Sequence, residues 1–217
     1  MQLFDIPFRS SALVVGPPRS EKEIFAEQFI AENIKSGAEE LVILSNNFPE
    51  DFLSEVQTFF KNSDKKIHFI DCYTRYVGLS KPDTAVTLRV SGPDALNEIA
   101  VASSSVLEKI KNRDIGIVMD TASPIIMQNN PRAVHRFLQR FIGRMKKYRS
   151  KIVILIEEGM HDQKTMSMLE SLTNETIYFK KRGNKRFIEI IKKSGKKRIS
   201  YTIKNGKIAF GRSSNAD

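Results

Sequence analysis

The sequence has little of several residue types on which small cross-linked folds and metal sites depend. Its 217 residues include one cysteine, Cys72, three histidines and no tryptophan. A single cysteine excludes an internal disulfide framework, and without a Cys/His cluster there is no ligand set for a structural zinc ion. We therefore predict a domain held together by an apolar core, with no metal site.

Long hydrophobic runs and a secretory leader are also missing. No stretch of about 18 apolar residues occurs, as a membrane-spanning helix would need. The first residues, MQLFDIPFRSS, lack the basic-then-apolar order of a signal peptide. With 41% apolar residues the chain has enough material for one buried core. The expectation is a cytoplasmic protein with no membrane partner.

Positive charge is abundant but unevenly distributed. The formal net charge is +10, although residues 1–130 carry 13 basic and 18 acidic side chains. Residues 131–151 carry eight basic and no acidic side chains, and residues 180–217 carry 13 basic and two acidic ones. Two basic blocks of this kind are compatible with an anionic partner but do not identify it.

Short apolar runs alternate with amphipathic stretches along most of the chain. The predicted strands are residues 11–15, 41–44, 67–70, 115–119 and 151–156; the predicted helices are residues 21–35, Pro49 to Phe60, 94–112, 131–149 and 162–172. Asp162 has the side chain of a good N-cap for the last helix. Alternation of this kind predicts an α/β fold with a mainly parallel central sheet and helices on both faces.

The C-terminal segment has a different rhythm. Residues 198–204 alternate polar and apolar side chains, and Asn205-Gly206 is a strong hairpin turn signal because both residues tolerate positive φ. We predict a core formed by residues 1–180 and a basic antiparallel β-hairpin extension of the same domain formed by residues 181–217.

The loop after the first strand contains a degenerate phosphate-binding motif. A P-loop between strand and helix requires G-x-x-x-x-G-K-[ST], and residues 16–23 read GPPRSEKE. Gly16 and Lys22 match in register, whereas Glu21 replaces the second glycine and Glu23 replaces the hydroxyl residue. A predicted strand that ends in Asp120 follows, as a Walker B strand would.

Taken in order, these segments resemble the KaiC-like branch of the RecA superfamily, in particular its small archaeal members. ALVVGPPRSEKEIFAEQFI is similar to the family's P-loop segment, LVILSNNFPEDFL to its second strand and helix, HFIDCY to its third strand, GIVMDTASPII to its Walker B strand, and EEGMHDQKTMSMLESL to a segment common in archaeal relatives. The resemblance implies a RecA-like three-layer sandwich. It also implies a vestigial nucleotide site formed by Gly16, Lys22, Asp120 and Thr121.

The departures from the family pattern predict that ATPase activity is lost. Glu21 places a carboxylate where the loop must approach phosphate, and a like charge about 4 Å away costs roughly 4 kcal/mol at an effective dielectric near 20. Glu23 removes the hydroxyl ligand of Mg²⁺. Asn46 and Asn47 stand where the family places paired glutamates, and an amide cannot usefully accept a proton from water. We expect no catalytic residue, no required cofactor and at most weak binding of Mg-ATP.

The basic blocks are the second functional feature. Arginines recur every four residues in the predicted helix 131–149, beside its apolar stripe, and the tail has a dense basic run; the candidate anion-binding residues are Arg132, Arg136, Arg140, Arg144, Lys196, Lys197 and Arg198. Guanidinium groups bind phosphate and carboxylate bidentately. The alternative is that the arginines pair with the acidic surface of residues 1–130, and that the tail lysines protect a sheet edge.

His161 is a further candidate. It follows the fifth predicted strand, at the edge where α/β sheets place their ligands. It could contact an anion or respond to pH, the alternative being a hydrogen bond to a loop carbonyl.

Two main hypotheses follow from the sequence. In the first, the protein is an inactivated RecA/KaiC-like ATPase homologue with a regulatory, signalling or scaffold role through contacts with a protein partner or with copies of itself. In the second, it is an accessory protein that binds nucleic acid through the arginines and the basic tail without reading sequence. A weak ATP-binding protein or ATPase with unusual loop chemistry is a minor third alternative.

Overall fold

The computed structural model describes residues 6–59 and 66–215, which contain ten strands and six helices. The strands are β1 (Ser10–Gly16), β2 (Glu39–Leu44), β3 (Ile67–Asp71), β4 (Thr87–Arg89), β5 (Ile115–Asp120), β6 (Ser150–Glu157), β7 (Glu175–Arg182), β8 (Lys185–Lys192), β9 (Gly195–Lys204) and β10 (Lys207–Asn215). The helices are α1 (Lys22–Lys35), α2 (Pro49–Val56), α3 (Leu96–Ile110), α4 (Ser123–Met127), α5 (Pro131–Met145) and α6 (Gln163–Leu172).

All ten strands belong to one sheet, in the order β10-β9-β8-β7-β1-β6-β5-β2-β3-β4. The seven strands from β7 to β4 pair in parallel, and β8, β9 and β10 continue the sheet as antiparallel strands. Every residue of β1 is buried, as expected for a central parallel strand covered on both faces. The predicted mixed α/β fold with a mostly parallel sheet and C-terminal antiparallel hairpins is confirmed.

Alternate residues of the central strands face two separate apolar layers. Leu13 and Val15 belong to the layer covered by α3, α4, α5 and α6, whereas Ala12 and Val14 belong to the layer covered by α1 and α2. The period of two in a strand places successive side chains on opposite faces. Because β1, β6, β5 and β2 run in parallel, their carboxyl ends meet at one edge of the sheet, between the two helical layers.

Several element boundaries differ from the sequence-based expectation. Helix α5 ends at Met145 rather than Arg149, because the chain turns there so that Ser150 Oγ can donate to the Met145 carbonyl and start β6. Strand β4 and helix α4 were not predicted, since three to five residues are too few to show a period. Phe60, at the end of the predicted second helix, lies outside the described residues.

The C-terminal strands are integrated into the core. Strand β7 pairs with β1 and continues through the expected boundary at residue 180. Ile188, Ile199 and Tyr201 share an apolar layer with α1. Asn205 and Gly206 adopt φ of 51° and 72° in the turn between β9 and β10, as the Asn-Gly signal predicts. Among the described helices, none combines the length and apolarity that a bilayer crossing needs.

Candidate functional site

A cavity of about 230 Å³ opens at the carboxyl edge of the sheet, where the β1–α1 loop meets the ends of β2, β5 and β6. Its lining consists of Lys22, Glu23, Glu27, Asn46, Asn47, Phe52, Glu55, Asp120, Thr121, Leu155 and Glu157. The structure thus brings together six of the residues singled out from the degenerate motif. Open α/β sheets bind ligands at this edge.

Lys22 is fully buried, and its ammonium group is already occupied by internal acceptors. Its Nζ lies 2.5 Å from a carboxylate oxygen of Glu23 and 3.0 Å from Glu157. It also donates to the carbonyl of Pro17 at 3.4 Å. An incoming phosphate would have to displace these carboxylates and would face their charge. The phosphate-loop motif does not include Glu157. Like Asp120, Glu157 ends a buried strand, and this position is the feature of the sequence that could have placed it in the site.

The Glu21 side chain does not face the cavity, which corrects the expectation that its carboxylate obstructs the phosphate position. Its two carboxylate oxygens accept hydrogen bonds from Arg186 Nε and from the Tyr201 hydroxyl, each at 3.1 Å. The C-terminal strands supply both donors and hold Glu21 against β8 and β9. The charge next to Lys22 comes instead from Glu23 and Glu157.

The loop backbone keeps the conformation that glycine favours. Arg19 and Glu21 have φ of 61° and 67°, in the left-handed region where a side chain costs about 1 kcal/mol or more. Gly16 also sits tightly: a Cβ there would lie 2.3 Å from Ser20 Oγ. Glu21 therefore holds a backbone conformation that glycine would adopt at lower cost.

The cavity is strongly acidic, because five carboxyl groups face a single lysine. Burial raises the pKa of Asp120 to about 7, with further contributions from Glu23 and Glu55. Burial likewise raises the pKa of Glu27 to about 7, reinforced by Glu55 and Asp120. Within the described residues there is no group of three or more His, Cys, Asp or Glu side chains arranged to hold a metal ion.

These raised pKa values predict a pH-dependent stability. Because both groups bind protons more tightly in the folded state, their contribution is fully present below about pH 4 and is lost as pH rises through 7. Each group lowers the free energy of unfolding by up to about 1.4 kcal/mol per pH unit between its unfolded and folded pKa. We therefore expect a fall of several kcal/mol between about pH 5 and pH 8, with the smaller share from the partly exposed Glu27. Urea denaturation of the Glu27→Gln/Asp120→Asn variant should show a much flatter pH profile. An unchanged pH profile in that variant would contradict the assignment of the pH dependence to Glu27 and Asp120.

Asn46, Asn47 and Thr121 line the cavity without forming a catalytic arrangement. Asn46 is exposed, and Asn47 Oδ1 accepts a hydrogen bond from the Phe48 backbone N–H at 2.9 Å. Thr121 has φ of 45°, and its carbonyl accepts from Ser45 Oγ at 2.6 Å. Neither asparagine can act as a general base for water.

His161 contacts a hydroxyl rather than a loop carbonyl. Its Nε2 lies 2.9 Å from Ser123 Oγ, and the same oxygen accepts from the Glu157 N–H at 3.1 Å. Burial lowers the pKa of His161, which favours the neutral imidazole as an acceptor for the Ser123 hydroxyl. Asp162 is the N-cap of α6, since its carboxylate accepts from the Thr165 N–H at 2.7 Å. His161 does not line the cavity.

The two basic blocks differ in how they are paired. In the tail, Lys196 and Arg198 both form ion pairs with Glu189, at 3.1 and 2.6 Å, while Lys197 has no ion pair among the described residues. The arginines of α5 are exposed, and within the described ranges no carboxylate lies within 4 Å of any of them: Arg132, Arg136, Arg140 and Arg144. The alternative in which these arginines form ion pairs with the acidic surface is therefore not observed among the described residues, although the charge of Arg144 helps to lower the pKa of Glu108.

Fold and site together define a mixed α/β protein with a charged cavity at the carboxyl edge of a mostly parallel sheet. Residues 9–179 match the model of a family of unknown function (DUF7504), and the chain belongs to that family. The match ends within β7, so Arg186 and Tyr201, which hold Glu21, lie beyond it. No curated protein matches the sequence.

One solved structure of similar fold is that of the uncharacterized protein PH0321 from Pyrococcus horikoshii, crystallised in complex with an unknown peptide. The TM-score is 0.74 at 13% sequence identity, and the alignment covers 96% of this chain and 94% of the other. At this identity the likeness establishes a shared fold and nothing about activity.

Proposed function

We propose that this protein is an inactivated, KaiC-like member of the RecA superfamily that acts in regulation, signalling or scaffolding through protein contacts. The observation that carries the proposal is the buried Lys22, which lies between Glu23 and Glu157 in the strand–loop–helix position of a P-loop lysine. Internal carboxylates here take the acceptor role that nucleotide phosphates have in an active site.

The electrostatics of the cavity support the loss of nucleotide binding. A triphosphate would enter a space already lined by five carboxyl groups and one ammonium group. A like-charge contact near 4 Å costs roughly 4 kcal/mol at an effective dielectric near 20. Asn46 and Asn47 in addition offer no base to activate water.

A role through protein contacts has separate support. PH0321, which shares the fold, was crystallised in complex with a peptide. We extend that property to this chain as a proposal, with a protein segment or a second copy of the chain as partner.

Calorimetry with Mg-ATP tests the proposal. The unaltered protein is expected to give no saturable heat up to about 1 mM nucleotide, a limit near 4 kcal/mol of binding free energy. The variant Glu21→Gly/Glu23→Thr/Glu157→Gln should gain measurable binding, because it restores the loop and frees Lys22. Saturable binding to the unaltered protein that disappears in a folded Lys22→Met variant would overturn the proposal.

A second candidate function, nucleic-acid binding, is favoured by the unpaired arginines of α5. It is weakened by the tail, where Lys196 and Arg198 are already paired with Glu189. In this case affinity for a single-stranded oligonucleotide should fall by orders of magnitude between 50 and 200 mM salt. No binding at low salt would exclude it.

A further inference from the structure

We infer that the groove between α3 and α5 is a docking site for an acidic, amphipathic helix of a partner protein. This inference rests on the proposed function only in that the partner is a protein, and it names that partner's chemistry. The groove lies away from the carboxylate-lined cavity, and the two sets of lining residues have no member in common.

The groove has one charged wall, an apolar floor and one neutral wall. Its volume is about 720 Å³. Arg136, Arg140 and Arg144 form the charged wall, Phe137 and Phe141 form the floor, and Ala100 and Ser104 belong to the opposite wall. Small side chains on α3 leave this space open between two helices that pack against the same face of the sheet.

The arginine wall is electrostatically unsatisfied. Like charges at i,i+4 destabilise a helix, and α5 repeats arginine at this spacing with no acidic residue to offset it. Arg144 donates to Ser104 Oγ at 2.6 Å, whereas Arg136 and Arg140 have no hydrogen-bond or ion-pair partner among the described residues. The guanidinium groups of Arg136 and Arg140 therefore retain their donors for a carboxylate from outside.

The neutral wall explains why the partner must be amphipathic. Residues 99–107 of α3 contain no charged side chain, and the half-buried side chains of Leu96, Ala100 and Ser104 line the groove. An apolar lining beside unpaired arginines suits a ligand with carboxylates on one side and aliphatic groups on the other. Arginines four residues apart recur about every 6 Å along a helix, the spacing of carboxylates at i,i+4 on a second helix.

The acidic end of the groove favours a protein over a nucleic acid. Asp94 and Glu98 line the groove where α3 begins. A continuous phosphate backbone along the arginines would meet these carboxylates, whereas a helix can place a neutral or basic residue opposite them.

Fluorescence anisotropy with a labelled peptide tests the inference on the full chain. The probe is a helical peptide of about 16 residues with glutamate at every fourth position and leucine on the adjacent face. It should bind saturably with one peptide per chain. Arg136→Gln/Arg140→Gln should weaken binding at least tenfold, and Ser104→Glu should do the same by pairing internally with the arginines.

The matched control removes the same number of positive charges elsewhere. Lys196→Gln/Arg198→Gln should leave peptide affinity within about twofold, since both residues already pair with Glu189. The inference is overturned if this control weakens binding as much as the groove variant, or if the Glu→Gln peptide binds equally well. It is also overturned if single-stranded RNA binds through Arg136 and Arg140 more tightly than the peptide. If the peptide does not bind and Mg-ATP also gives no saturable heat, the groove inference is overturned but the proposed function still stands.

Discussion

Lys22→Met is expected to lower the free energy of unfolding by about 3 kcal/mol at pH 7.5, because it leaves the largely buried Glu157 carboxylate without its cation, whereas the partner Glu23 is 43% exposed. The Lys22 side chain is 1% exposed and that of Glu157 is 18% exposed, so water cannot readily replace the lost ammonium group. Chemical denaturation measures the effect.

The neighbouring pair on the same strand end provides a matched control. Lys180 lies 3.0 Å from Glu158, the same distance as that between Lys22 and Glu157, but both side chains are more than a third exposed. Lys180→Met should therefore cost less than about 1 kcal/mol. If Lys22→Met and Lys180→Met lower the free energy of unfolding equally, burial does not determine the strength of the Lys22–Glu157 ion pair.

Gly116→Ala is expected to destabilise the protein by about 2 to 3 kcal/mol, as overpacking of a rigid interior does. A Cβ at residue 116 would lie 1.9 Å from Oε1 of Glu40, the residue paired with Gly116 across β2 and β5. Glu40 is fully buried, and neither carboxylate oxygen has a hydrogen-bond partner among the described residues. The carboxyl group cannot move to water without disturbing the strand.

A double-mutant cycle isolates this contact. Adding Glu40→Ala should recover most of the loss caused by Gly116→Ala, because the new methyl group then occupies vacated space. Gly143→Ala is the control: nothing lies within 4 Å of a Cβ at this exposed position of α5, and the change should stabilise the protein by about 0.5 to 1 kcal/mol. Strictly additive effects at residues 40 and 116 would contradict the predicted clash.

Glu40 also adds to the pH dependence described for the cavity. Burial raises its pKa well above the usual range, and the nearby Asn33 amide and Lys151 ammonium offset this only in part. The neutral acid is favoured in the folded state, so the contribution of Glu40 to stability is fully present below about pH 4.5 and is lost as pH rises through its folded pKa. Glu40→Gln separates this contribution from that of Glu27 and Asp120.

The unequal pairing of the two basic blocks changes the meaning of the +10 net charge. Part of the tail's positive charge is neutralised by glutamates, through pairs such as Lys192–Glu175 and Arg198–Glu189. The arginines of α5 have no such internal use in the described chain. Within the described chain, the net charge therefore points to the arginine face of α5, together with unpaired tail residues such as Lys197, as the surface available to an anionic partner.

Local patterns in the sequence were enough to predict five of the parallel strands, the five longer helices, the C-terminal hairpin and the position of the loop at residues 16–23. Buried parallel strands have continuous apolar sequences. Asp162 caps a helix, and Asn205-Gly206 form a turn, through contacts with residues close to them in the sequence. Lys22 and Asp120 could be placed in one site because strand ends of a parallel sheet meet at one edge.

The tertiary structure alone decided which charges meet. Glu157, 135 residues from Lys22, reaches it because β1 pairs with β6, and Glu21 turns away because β8 and β9 bring Arg186 and Tyr201 to it. Ion-pair partners depend on strand order and register, which local composition does not encode. The sequence thus determined that residues 16–23 match a phosphate-loop motif without its second glycine and its hydroxyl residue. The fold decided that Glu23 and Glu157 pair with Lys22, and that Arg136 and Arg140 have no ion-pair partner among the described residues.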